Sequence, residues 1–396
     1  MIRNNLWIIS LLLISLLVSC NDKSAEDLKS PYLNEPLFLS LYIMPSNDLI
    51  TKVDSDGFKD DENEEGSYLE NYIDIENNDF HIALFNSSGD FVTEFIGEDV
   101  GYKNENNETA THLLGIEIKY DRLKRFPSNY GSEEFTVVIL ANWRSYSEVS
   151  YVSFEGKNLK NIGTEDNFYN FSYTGESKNS WYPTLGPNSK SLILMMGIGK
   201  FTGFVYSSNT GMHTAHANIL MLRSLAKITL SLNDKLWKSG FEIGSCKLNK
   251  FVSQGKVIPD LSKEDNTVGL NGSIHVSEPW NTQSFEKTDT LSFVKIGEEG
   301  TNQILTAYVP EMNTAHYTTS SSDRPLLTAS LTLNKKKFKE DKSIEFNDNQ
   351  DTSNLFHILR NHHYNFIIED ISEEGKITLS YTACPWNEGS ADIGFH

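Results

Sequence analysis

Positive charge is scarce in this chain of 396 residues: 34 lysines and arginines stand against 54 acids, a formal net charge of −20. Nucleic-acid binding needs clustered Lys and Arg that displace counterions from phosphates. No basic stripe interleaved with aromatics occurs, so nucleic acid is excluded as the main partner. Cysteine is rarer still, with only Cys20, Cys246 and Cys384, which excludes a small disulfide-dense scaffold. No apolar run reaches the roughly 18 residues of a membrane-spanning helix. The motifs of common enzymes are also missing. There is no H-E-x-x-H, no phosphate-binding Walker loop and no G-x-S-x-G elbow. Gly197-Ile198-Gly199 has its next glycine at Gly203, which is not the dinucleotide spacing. Acid pairs carry no weight in so acidic a chain. The expectation is a protein with no catalytic, cofactor-binding or metal-ligating residues, not an enzyme.

What is present is a globular composition, 38% apolar and 11% aromatic. Its N-terminus is distinctive. Leu6–Val18 is an apolar run of 13 residues behind a single charge at Arg3. That length suits the core of a signal peptide. The run ends in Leu17-Val18-Ser19-Cys20, the pattern of a bacterial lipobox. A thiol is required there because sulfur accepts the diacylglycerol, so Cys20 is the expected lipidation site. Residues 1–19 are then the signal peptide and 20–35 a lipidated stalk. Acyl chains contribute about 0.8 kcal/mol per buried methylene, so several chains anchor firmly. The alternative is an ordinary secretory signal with an incidental cysteine. Asn21 in place of aspartate fits outer-membrane sorting, and Asp22, Glu26 and Asp27 fit surface exposure. Cys246 and Cys384 either bridge or stay as two buried thiols.

The remainder reads as strands. Leu37–Met44 is bracketed by Pro36 and Pro45 and places Leu37, Leu39, Leu41 and Ile43 on one face. An acidic linker follows at 54–66; its Asp54-x-Asp56-Gly57 lacks the rest of a calcium loop. Strand signals recur at 80–85, 91–96, 112–120, 135–141, 191–196 and 200–206, with a polar excursion at 155–190. The polar stretch 207–216 is the expected boundary between an N-terminal domain at 36–206 and a C-terminal domain at 217–396. Further signals fall at 218–232, 241–251, 290–296, 303–309, 326–333, 355–368 and 376–382, of which 218–232 and 355–362 could instead be short helices. Many short strands separated by polar turns imply sandwiches.

Isolated residues give weak signals. His213-x-x-His216 has ligand types without a third partner. His362 and His363 point to opposite faces of a strand and read as structural. Trp143, Trp181 and Trp280, in or beside loops, could form sugar platforms.

Several segments together resemble the fimbrillin superfamily of Bacteroidales, the lipoprotein-derived subunits of type V pili. They are Leu222-Arg223-Ser224-Leu225-Ala226-Lys227-Ile228, then Ala307-Tyr308-Val309-Pro310-Glu311, then Leu359-Arg360-Asn361-His362-His363-Tyr364, and the ending from Tyr381 to Trp386. Asn78–Val92 is similar to the family's strand-turn-strand. The resemblance implies an all-β fold of two tandem transthyretin-like β-sandwich domains after a lipoprotein signal peptide. It implies polymerisation with other fimbrial subunits by β-strand exchange, at an outer membrane reached through the lipid anchor. The assembled fimbria would take a host glycan or protein as ligand. Arg223 and Lys227 interrupt apolar strands and are expected to snorkel at a sheet edge.

Polymerising members of the family are cut, often after an arginine, between the first strand and the body. Here no arginine occurs from Cys20 to Arg122. A chain that keeps lipid and first strand suits the anchor at the base of the fimbria. The alternatives are a shaft or tip fimbrillin, or a surface glycan-binding lipoprotein. Ile393 and Phe395, two apart in the tail, suit an added strand.

Overall fold

The structure is a computed structural model. It describes residues 37–45 and, with short breaks, 73–143, 153–162, 170–172, 192–261, 267–275, 289–312, 325–372 and 376–385. The signal peptide, Cys20, the stalk, the acidic linker and the tail from Ala391 to His396 lie outside the described residues.

The described residues are almost entirely β. The first set of strands is β1 (Leu37–Pro45), β2 (Phe80–Phe85), β3 (Phe91–Ile96), β4 (Tyr102–Asn106), β5 (Thr111–Ile118), β6 (Glu134–Ala141), β7 (Asn170–Ser172), β8 (Met195–Thr202), β9 (Val205–Ser207) and β10 (Met212–Arg223). The second set is β11 (Leu225–Leu232), β12 (Phe241–Phe251), β13 (Gln254–Lys256), β14 (Thr267–Val268), β15 (Ile274–His275), β16 (Asp289–Ser292), β17 (Val294–Ile296), β18 (Ile304–Pro310), β19 (Leu326–Leu333), β20 (Lys336–Lys337), β21 (Lys342–Glu345), β22 (Asn347–Asp348), β23 (Asp351–Leu355), β24 (His362–Ile371) and β25 (Ile377–Pro385). A five-residue helix, α1 (Asp234–Lys238), follows β11. Asn233 caps it by accepting from the Leu236 amide at 2.9 Å.

Nine strands of the first set form one sheet in the order β3-β2-β6-β8-β10-β1-β5-β4, with β9 beside β10. Ten of the second set form two five-stranded sheets: β17-β18-β11-β24-β25, and β16-β12-β19-β20 with β21 also on β19. The others make two-stranded ribbons, β14-β15, β22-β23 and β7-β13, the last joining the two sets. Inward side chains of the two five-stranded sheets share one core, among them Ile228 and Leu230 on β11, Leu248 on β12, Leu327, Ala329 and Leu331 on β19, and Phe366 and Ile368 on β24. β12 buries both Ile243 and Cys246, three apart. Its pairing with β19 shifts register between Ile243 and Ser245, the extra residue that such a spacing demands.

Residues 207–216 run from the end of β9 into β10, which pairs with β1, β8 and β9. The sheets change over at Ser224, between β10 and β11. The stretch 218–232 is strand throughout apart from that one residue.

Candidate functional site

β1 is the first of the described strands yet lies inside its sheet. Along its length it pairs parallel with β10, from Leu37↔His213 to Pro45↔Met221. On its other side it pairs antiparallel with β5, from Leu37↔Ile118 to Ile43↔His112. Leu37, Leu39, Leu41 and Ile43 are each 0% exposed, as the alternation predicts. Burying a Leu or Ile side chain contributes about 1.5–3 kcal/mol. The four together therefore contribute ~6–12 kcal/mol as an upper estimate, similar to the whole net stability of a domain. The opposite face of β1 is lighter. Phe38 lies over Gly115 of β5, where an added Cβ would come within 2.8 Å of its ring, and Tyr42 is exposed. β1 thus occupies a slot with a built polarity and a built row of apolar sockets.

A second feature lies where the sheets change over. Arg360, fully buried, grips Glu311 through Nε to Oε2 at 2.9 Å and through a terminal nitrogen to Oε1 at 2.6 Å. The same guanidinium donates to the carbonyls of Val257 at 2.6 Å and Lys256 at 2.9 Å. A buried ion pair is favourable only when its remaining hydrogen-bonding groups are met, and here the backbone supplies them. Ser224 donates through its hydroxyl to Val257 and through its amide to Leu194. Arg223 donates to Asn361 Oδ1 at 2.9 Å. Asn361 takes a left-handed backbone (φ 55°) that asparagine tolerates. Tyr364 clamps this turn, donating to His357 O and accepting from the Leu359 amide, each at 2.8 Å.

Three of the segments that carry the family resemblance therefore meet at one buried polar joint. Arg223 and Lys227 do not snorkel: they are 1% and 7% exposed. Asn361, 138 residues away in sequence, receives the Arg223 guanidinium and makes burial tolerable.

Other expected residues are dispersed. His213 faces inward on β10, its Nδ1 3.4 Å from Phe204 O, while His216 points outward. Residues three apart on a strand face opposite ways, so the two cannot share an ion. His362 and His363 are separately engaged, the first by Arg360 O and the second by Thr229 Oγ1, each at 2.8 Å. Burial, helped by the Lys227 ammonium, pushes His363 down to about 3. Trp143 is buried, against the expectation of a sugar platform; Trp181 and Trp280 lie outside the described residues. Gly197-Ile198-Gly199 sits within β8 and packs on Ile219 of β10. Cys246 is a buried free thiol, pushed up to about 12 by burial. Cys384 lies on β25.

One polar cluster has no counterpart among the sequence motifs. His81, 0% exposed, sits 3.2 Å from Glu94 Oε2. Ser153 donates to Glu94 Oε1 at 2.6 Å and the Phe154 amide to Oε2 at 2.8 Å. Burial alone would raise Glu94; the hydrogen bonds from His81, Ser153 and Phe154 outweigh it and hold the group at about 2. The carboxylate, not the imidazole, stands in the middle, so the histidine is not placed to activate the serine. Glu94 lies 59 positions before Ser153 and His81 further still, so no local spacing could have announced them.

No protein-family model and no curated protein matches the chain. Solved structures do. The tip fimbrial protein Mfa3 of Porphyromonas gingivalis, solved with a C-terminal truncation, is 12% identical, with 89% of this chain and 100% of that chain covered at a TM-score of 0.50. A fimbrial assembly protein of Parabacteroides distasonis is 13% identical over 87% and 99% of the two chains, at a TM-score of 0.45. The fimbrial anchor protein Mfa2 of Porphyromonas gingivalis is 9% identical over 89% and 98%, at a TM-score of 0.34. The chain is an all-β sandwich protein that shares the fold of the tip fimbrial protein Mfa3, in keeping with the fold that the sequence resemblance implied.

Proposed function

We propose that the chain is a non-enzymatic subunit of a Bacteroidales cell-surface fimbria, a fimbrillin of two sandwich domains that divide near Ser224. Its lipid sits on Cys20 in the outer membrane, and it serves as the anchor at the base. The carrying observation is the position of β1: an N-terminal strand in the middle of a sheet, joined on both edges and filling four apolar sockets. Retaining β1 closes the slot to a donor strand; losing it opens one. The lipid and β1 precede a linker, 46–79, whose only basic residues are Lys52 and Lys59. That linker offers no arginine for cleavage, which favours the anchor over a shaft or tip subunit. The anchor then engages its neighbour through another element, and the tail from Ala391 to His396 is the candidate donor.

The test is mass spectrometry of the protein taken from intact cells. An acylated Cys20 as the first residue supports the anchor. A start between about residues 46 and 75 overturns it in favour of a shaft or tip subunit. Deleting Ala391–His396 separates the tail's roles. If the tail is a donor, melting is nearly unchanged and fimbriae are shed. A large loss of thermal stability shows that it completes its own domain.

A further inference from the structure

A cavity of about 520 Å³ opens at one end of the C-terminal pair of sheets, where α1, the start of β12 and the β17–β18 connection converge. That volume lies within the range of about 300–1,000 Å³ typical of small-ligand clefts. Leu232 and Ile243 lie at its bottom, both nearly fully buried. Its wall is Trp237, half-buried, with one side packed on the core. Its rim is polar and includes Glu242, Lys295 and Asn302. The polar stretch of the rim lies on a loop that continues through Thr301 and Gln303.

The wall is held firmly. Asn233 caps α1 and also donates to Glu369 O at 2.6 Å and Glu369 Oε2 at 2.9 Å, tying the helix to β24. The Trp237 amide donates to Asn233 O at 3.1 Å, and Trp237 O accepts from Gly240 at 2.9 Å. The rim is tied as well: Asn302 donates to Leu232 O at 2.7 Å. A site held in its working shape before binding loses less entropy on association.

We infer that this cavity binds a neutral pyranose unit of an oligosaccharide, with Trp237 as the stacking surface. A pyranose has one apolar face of C–H groups and an equator of hydroxyls. The exposed part of the indole receives the face; amide, carboxylate and ammonium groups on the predominantly polar rim meet the hydroxyls. Glu242 and Lys295 are one acid and one base on the same rim, so the pair carries no net charge to draw an ion of either sign. A purely apolar ligand would leave the polar rim desolvated without partners. This site belongs to the chain itself and does not depend on its assembling into a fimbria.

The experiment uses the purified full-length chain on an array of maltohexaose, cellohexaose, mannohexaose and chitohexaose, with sulfated and sialylated glycans alongside. The expected result is binding to at least one neutral oligosaccharide. Trp237→Ala should weaken it by about tenfold or more, and Trp237→Phe should retain some of it. Glu242→Arg lies on the exposed rim, so it should keep the melting temperature and still weaken binding. Should Trp237→Ala lower the melting temperature, Glu242→Arg decides alone. No binding to any neutral oligosaccharide, binding restricted to the charged glycans, or neutral binding unmoved by Glu242→Arg would each overturn the inference.

Discussion

The first and the last described strands of this protein are built in opposite ways. β1 is enclosed, with partners along both edges and four side chains removed from water. β25 ends the sheet order β17-β18-β11-β24-β25, pairs with β24 alone, and has no fully buried side chain among those described, with Leu379 and Tyr381 half-buried. An enclosed strand is a keystone for its sheet; a strand paired on one edge leaves backbone groups that a further strand can meet. Among the described residues, the first strand is closed along both edges and the last is paired along one.

The contrast is sharpest when a strand is removed. Deleting residues 37–45 should abolish the cooperative melt of the N-terminal sheet, followed by circular dichroism. A synthetic peptide of residues 36–45 added in trans should restore it to some extent. A chain that melts normally without β1 would erase the contrast. Next in size is the joint between the sheets. Arg360→Met alone leaves Glu311 buried without its partner and should cost about 3–5 kcal/mol in denaturant unfolding. Adding Glu311→Leu should recover much of that loss. At the open edge, Leu379→Ala should cost about 1 kcal/mol or less because the side chain is already half in water. By comparison, Leu41→Ala in β1 should cost about 2–5 kcal/mol.

A further set of effects concerns acid. His363 is depressed to about 3 from an ordinary 6.5, so its neutral form stabilises the fold fully above the unfolded value. That contribution is lost as pH falls from about 6.5 towards 3. Glu94 is depressed to about 2 from 4.5, and its contribution is lost only between about 4.5 and 2. Melting curves against pH should therefore show the C-terminal sheets weakening first. His363→Phe should flatten the upper window and leave the lower one, whereas Glu94→Gln should do the reverse.

These two halves were unequally legible in the sequence. β1 announced itself because alternate leucines between prolines have few other uses; β5 carried similar alternation, and β2 and β6 are continuous apolar runs buried along their length. β10 hid its first half. Its inward residues there are His213, Ala215 and Ala217, too small or polar to stand out, and their burial is supplied by β1 from far away in sequence. α1 went unseen because five residues contain little more than one helical turn, and its one sign was the cap at Asn233. The joint was legible as motif and not as mechanism. Arg223, Glu311 and Arg360 stood in the family-like segments, but charge on a strand reads as exposure until a partner is known. The wall of the cavity, Trp237, carried no signal apart from being a tryptophan, since its surroundings come from β12 and the β17–β18 connection.

The two-sided seat of β1 also has a mechanical meaning. A chain tethered through its N-terminus and loaded from its body feels tension along the axis of that strand. Its ladders to β10 and β5 then bear the load side by side and must slide together, rather than unzip rung by rung from an end. Lifetime under traction is set by the rate of such a rupture, not by equilibrium stability. In a single-molecule pull from residue 36, the strand should act as a shear clamp and yield at a higher force than β25 peeled from its open edge.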